Sequence, residues 1–175
     1  MKRGRKFVYW CSIGILAGML VGCGYHFAGS GKYPAGVSRV YITMLKNRSG
    51  VTGAESTFTN DLIYEFTRNR PKSIAKDRSS ADSILTGTIG RLSVQNISRS
   101  SISQALERRV TGALTLRLTS PDGRILWSSG AVVERQSYAV VAGDKPATEQ
   151  NKSKAIDKLS KKLAESAYNR LTDNF

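Results

Sequence analysis

Hydrophobic positions along this chain fall into blocks of distinct period, and each block predicts an element. Phe7 to Leu20 is an uncharged, largely apolar run that follows Lys2, Arg3, Arg5 and Lys6. Gly24 to Ser38 shows no period and is rich in Gly, Ser and Ala, the composition of a tether. Arg39 to Leu45 (RVYITML) is β-branched and aromatic, which suits a pleated strand, and Asn47-Arg48-Ser49-Gly50 breaks it. Phe58, Leu62 and Phe66 then recur every fourth residue with Ile63 beside them, so a helix to about Arg68 buries one face. Thr52-Gly53-Ala54-Glu55 ahead of it reads as a capping box, in which hydroxyl and carboxylate satisfy the first free amides.

A basic loop from Pro71 to Ser80 leads into a long strand over Ala81 to Ser98. Its alternation runs Leu85, Gly87, Ile89 and then changes parity to Leu92 and Val94, which places a bulge at Gly90. Glu107 to Thr119 alternates cleanly, with Val110, Leu114, Leu116 and Leu118 on one face and Thr111, Thr115, Arg117 and Thr119 on the other. Ser120-Pro121-Asp122-Gly123 is turn chemistry. Ile125 to Ser137 returns as the second arm of a hairpin, with Ile125, Trp127, Ala131 and Val133 expected on one face. Thr148 can cap a final helix that runs to about Thr172 with Ile156, Leu159, Leu163, Ala167 and Leu171 as its apolar stripe. The order β-α-β-β-β-α predicts an α+β two-layer sandwich, two helices on one face of a mostly antiparallel four-stranded sheet.

The opening block reads as an address rather than as part of the fold. A positive start and an apolar run too short for a spanning helix lead to Leu20-Val21-Gly22-Cys23, the lipobox pattern of bacterial lipoproteins. Residues 1–22 are then a signal peptide, Cys23 is the acylated first residue, 23–38 is a lipidated tether, and 39–175 is a single domain. Several acyl chains on one cysteine hold a protein on a membrane durably, where one chain does not. Gly24, rather than Asp, after the cysteine favours the outer membrane under the sorting rule of enteric-type bacteria. Cys11 leaves with the leader, so the mature chain has no pair of thiols for a disulfide, and packing alone must stabilise it.

Charge sharpens the picture. The chain carries 27 Lys and Arg against 13 Asp and Glu; without the four cations of the leader the excess is still 27 − 4 − 13 = 10. Such an excess seeks polyanions. Behind a lipobox these are phospholipid headgroups and lipopolysaccharide phosphates, and aromatic residues interleaved for base stacking, the mark of a nucleic-acid partner, are lacking. The cations gather at Arg68, Arg70, Lys72, Lys76 and Arg78, at Arg99, Arg108 and Arg109 around a strand connection, and at Lys145 before the last helix. Guanidinium groups in strand-end loops grip phosphates bidentately. No catalytic triad, metal-ligand cluster, phosphate loop or dinucleotide fingerprint is present, and the single histidine, His26, falls in the tether. No cofactor, metal or enzymatic activity is therefore expected.

Cys23-Gly24-Tyr25-His26-Phe27 after a lipobox resembles the mature start of the LptE family, lipopolysaccharide-assembly lipoproteins of the outer membrane. Val40-Tyr41-Ile42 with Asn47-Arg48, Ala81 to Gly87, Gly123 to Trp127, and Leu171 to Phe175 resemble successive parts of that family in order. The resemblance implies the sandwich already read. It also implies a periplasmic-side domain seated as plug and assembly partner inside the lumen of a large LptD-like β-barrel, and binding of lipopolysaccharide. The family's lipopolysaccharide-contacting cations lie in strand-end loops; at comparable places this chain offers Lys145, Arg99, and Arg108 or Arg109. A scaffolding or binding lipoprotein without lipid transport is the alternative, and predicts no barrel among its complexes.

Overall fold

The computed structural model describes residues 33–34, 36–97 and 107–173. Cys23, Arg99 and the whole leader lie outside the described residues. The elements are β1 (Val40–Ile42), β2 (Lys46–Asn47), α1 (Ala54–Asn69), β3 (Ser83–Ile89), β4 (Ser93–Ile97), β5 (Glu107–Thr119), β6 (Ile125–Ala139) and α2 (Lys145–Thr172). The sheet has six strands and is mixed, where four mostly antiparallel ones are expected. The strand expected over Ala81 to Ser98 is interrupted once, and the one expected over Arg39 to Leu45 stops at Ile42, with Lys46–Asn47, where a break is expected, pairing as a further strand. β1 and β2 lie in succession along one edge of β3, both parallel to it; β3 and β4 lie in succession along one edge of β5, both antiparallel. β6 covers the other edge of β5. The break between β3 and β4 falls at Gly90, as the change of parity predicts, and its N–H donates across to Ala113 O at 2.8 Å. Val94, however, is exposed rather than packed.

Both helices cover one face. Phe58, Leu62 and Phe66 of α1 and Leu159, Leu163, Ala167 and Leu171 of α2 are buried against Leu85, Ile89, Val110, Leu114, Leu116 and Leu118. Two glycines on this face exist to let neighbours in. A Cβ on Gly87 would meet Leu116 Cδ2 at 2.5 Å, Leu45 Cδ2 at 2.7 Å and the Thr115 carbonyl at 2.9 Å; one on Gly112 would meet Leu92 and Leu159. The opposite face of the sheet carries Thr86, Thr88, Arg109, Thr111, Thr115 and Arg117, and no helix among the described residues lies on it.

Three local expectations are corrected. The capping box does not form: Gly53, at φ +80°, is the N-cap of α1, with no side-chain cap bond. Asn47 organises this turn instead, donating to Val51 O at 2.8 Å and to the Glu55 carboxylate at 2.5 Å. Likewise Asp144, not Thr148, caps α2, accepting from Ala147 N–H at 2.9 Å, with Pro146 supplying a φ suited to the first turn. Thr148 is buried one turn in, where its hydroxyl accepts from Val141 N–H. In β6, Trp127 does not share a face with Ala131 and Val133, and Ile125 is exposed. A bulge between the pairs Arg117–Ser128 and Thr115–Ala131 resets the parity, so Val132 and Tyr138 turn inward. Gly130 provides the positive φ of +61°, and Ser129 Oγ accepts the Leu116 N–H at 2.9 Å.

Chain direction sorts the molecule into two ends. At the near end lie the start of β1, the loop after α1, the β5–β6 turn and the C-termini of both helices; the start of β5, the end of β6 and the start of α2 make the far end. Tyr33, inside the stretch read as tether, is buried at the near end. Its hydroxyl lies 3.0 Å from Ser73 Oγ, its ring stacks on Phe66, and the Arg70 guanidinium sits 4.7 Å above it. Phe66 in turn meets Tyr168 edge-on at 5.0 Å. Burial pushes the Tyr33 hydroxyl up to about 12, against the pull of the Ser73 hydrogen bond.

Gly87→Ala should lower stability by about 1–3 kcal/mol, because the Thr115 carbonyl is backbone and cannot retreat. A thermal melt checks it, and an unchanged midpoint would show that the site accommodates a methyl group. Tyr33 generates a pH prediction. Between its ordinary pKa of 10.0 and about 12 the folded chain keeps a proton that the unfolded chain has lost, so stability falls as pH rises through this window. Tyr33→Phe should lose less stability than wild type between pH 8 and 11 in urea titrations. Equal losses would remove Tyr33 as the source.

Candidate functional site

The far end is assembled by strand register. Glu107, the first residue of β5, pairs with Ile97 on one side and with Ala139 on the other. Lys145 follows Ala139 by six residues, as the first residue of α2. The ends of β4 and β6, the beginnings of β5 and α2, and therefore Arg108, Arg109 and Lys145 all come to one end of the molecule. Lys145 belongs to the helix rather than to the loop before it, and it is exposed beside the Asp144 cap.

The two adjacent arginines do different things. Side chains alternate along a strand, and the even positions Val110, Leu114 and Leu116 face the helices. Arg108 is on that side, between Asn96 and Tyr138, and its Nε donates to Asn96 Oδ1 at 3.1 Å. Arg109 is on the helix-free face, between Gln95 and Ser137. Both are half-buried, so their stems are fixed by neighbours while the charged heads reach the rim. Their side chains leave the strand on opposite faces of the sheet. Arg108 and Lys145 make one set on the helix side; Arg109 makes another with Arg135, which pairs with Thr111 and is thus its diagonal neighbour on the same face. Arg135 was not among the residues the sequence singled out. Its only signal was its parity in β6, and that parity depends on the bulge at Ser129–Gly130. The carboxylates at this end are Glu107, Asp144 and Glu149, the last bonded to Lys152 at 3.1 Å.

Grooves cross the surface elsewhere among the described residues. One of about 620 Å³ runs between the helices, lined by Asn60, Asp61, Tyr64, Glu65, Arg68, Lys161 and Glu165. Arg68 is bonded there to Glu65 at 2.8 Å. No group of three or more His, Cys, Asp or Glu that could hold a metal occurs among the described residues. No helix among them is long and apolar enough to cross a membrane.

Solved structures share this architecture at low identity. The uncharacterized lipoprotein B from Nitrosomonas europaea is 14% identical with a TM-score of 0.55, covering 88% of this chain and 92% of its own. The hypothetical protein CT253 from Chlamydia trachomatis is 8% identical with a TM-score of 0.50, covering 77% of this chain and 95% of its own. At such identities they speak for the fold alone. No curated protein matches the chain. The lipopolysaccharide-assembly family model matches residues 37–171, from just before β1 to the last turn of α2. A match of that extent, over the two-layer fold and its basic far end, places this chain in the LptE family.

Proposed function

We propose that this protein is an outer-membrane lipoprotein, acylated at Cys23, that serves as plug and assembly partner of a large LptD-like β-barrel and binds lipopolysaccharide at its far end. The family match over 37–171 carries the reading. Two features of the fold support it. A barrel lumen is lined by polar side chains, and a plug must present a surface compatible with that lining. The face opposite the helices carries Thr86, Thr88, Arg109, Thr111, Thr115, Arg117 and Arg135 around Ala113, Ala131 and Val133, and Met44, Tyr64 and Val133, exposed large apolar residues, fall between β1 and β2, in α1 and in β6. The second feature is the register that gathers Arg108, Arg109 and Lys145 at one end, with Arg135 beside them. Lipid A phosphates are anions of the kind that guanidinium groups fork. Arg99, in the connection between β4 and β5, belongs to the same proposed site by its place in the chain.

In mechanism, the acyl anchor confines the domain to the inner surface of the membrane, and the barrel takes it in. The far-end cations compete for the phosphates that otherwise hold lipopolysaccharide molecules to one another, which loosens aggregates before delivery. Each step is electrostatic and conformational, and no covalent bond changes.

Two measurements test this. A C-terminally tagged chain, released gently from outer membranes, should bring down one large β-barrel protein in equal amount; a soluble periplasmic partner in its place would favour the scaffolding reading. Reversal of Arg108, Arg109 and Lys145 to Asp should weaken lipopolysaccharide binding by roughly tenfold or more, about 1.4 kcal/mol, with the melting midpoint unchanged. Unchanged affinity in a titration of the folded triple variant would remove these residues from the site.

A further inference from the structure

The near end carries its own cations, and the proposed lipopolysaccharide site does not use them. Val40 N–H donates to Ser73 O at 2.7 Å, and Ala75 N–H donates to Val40 O at 3.0 Å, so the basic loop after α1 is fastened alongside the start of β1. This holds Lys72, Lys76 and Arg78 at the end where Arg39 leads into β1 and Arg124 closes the β5–β6 turn. All five are exposed, and none forms an ion pair among the described residues. The nearby carboxylates are turned into the chain. Asp77 accepts from Ser79 Oγ and Ser80 N–H, Asp82 from Ser38 and Arg39 N–H, and Asp122 from Ser120 Oγ. They reduce the positive charge of this end without cancelling it.

The chain also enters the domain here. Tyr33 is a core residue, held by Ser73, Phe66 and Arg70. Only 33 − 23 = 10 residue steps separate it from Cys23, which at about 3.5 Å each reach no further than about 35 Å. An anchored domain is therefore leashed by the end that bears the Lys72–Arg78 loop.

We propose that the near end, formed by Arg39, Lys72, Lys76, Arg78 and Arg124, is a docking surface for anionic phospholipid headgroups, which orients the anchored chain before it meets a barrel. The proposal rests on the reading that Cys23 is acylated. One acyl modification and one polybasic surface together make a two-part hold, and the second part sets orientation because its charges occupy one end of a rigid body.

Trp127 is the only tryptophan outside the leader and is the third residue of β6, at the near end. Ala139, at the far end, is twelve residues on, roughly 40 Å away along the strand. In vesicles carrying the mature lipoprotein and a dansyl-headgroup acceptor, energy transfer from Trp127 should be roughly twofold higher with phosphatidylglycerol than with phosphatidylcholine alone, and about 0.5 M salt should abolish the difference. K72E/K76E/R78E should abolish it as well, while R108D/R109D/K145D should leave it intact. Equal transfer in both lipids, or loss only in the far-end variant, would overturn the proposal. Mass spectrometry of the N-terminal peptide reports on the anchor separately. If Cys23 carries no acyl chains, the anchor reading fails. Flotation of that chain with phosphatidylglycerol vesicles, lost in K72E/K76E/R78E, would then uphold the docking surface, and failure to float would overturn it.

Discussion

Hydrogen bonding along both edges of β5 positions everything else. Its thirteen residues take β3 and β4 in succession on one side and β6 on the other. Its inward side chains, Val110, Leu114, Leu116 and Leu118, form the floor on which both helices rest. Burying each of these side chains is worth about 1.5–3 kcal/mol, so the strand that organises the ladder also contributes much of the core. The arrangement leaves two ends separated by the full length of β5, and each end collects a different set of loops. A site at the start of β5 and one at its finish can thus bear charge without repelling one another strongly, being several screening lengths apart at physiological salt.

How far the amino-acid pattern could be read depended on whether each strand kept step. β5 alternates without interruption because one face is packed and the other is wet, and its face assignment followed directly. The interruption at Gly90 was visible because hydrophobic parity changed on either side of it. The one at Gly130 was not: Ala131 and Val133 are apolar and Trp127 is two steps from Ser129, so an unbroken alternation looked as good as a broken one. Both helices were found, but not their caps. A cap is a choice among nearby hydrogen-bond acceptors: at α2 Asp144, one turn before Thr148, won it, while at α1 Gly53 holds the N-cap with no side-chain acceptor and the Glu55 carboxylate takes a bond from Asn47 instead. The basic residues were easy to see. Which of them share a face was not, since Arg109 and Arg135 become neighbours only through the pairing of β5 with β6.

Membership of the LptE family gives the fold its setting, and the geometry adds what a family match does not. Arg108 and Arg109 leave β5 on opposite faces of the sheet, so the far end presents cations on both. Tyr33, meanwhile, is tied into the core through its ring and its hydroxyl.

The edge strand β6 has been treated so far as a partner of β5, but it also has a side that no strand covers among the described residues. Arg170, from the last turn of α2, donates to the carbonyls of Ser129 and Ala131, both at 3.0 Å, and Asn151 donates to the carbonyl of Ala139. A bare edge of fifteen residues is a template on which a second sheet can zip. With Arg170 seated on its carbonyls at the bulge and Asn151 on its last residue, that template is shortened to the stretch between them. The same helix that closes the core thereby narrows the edge on which a second copy of the chain could pair.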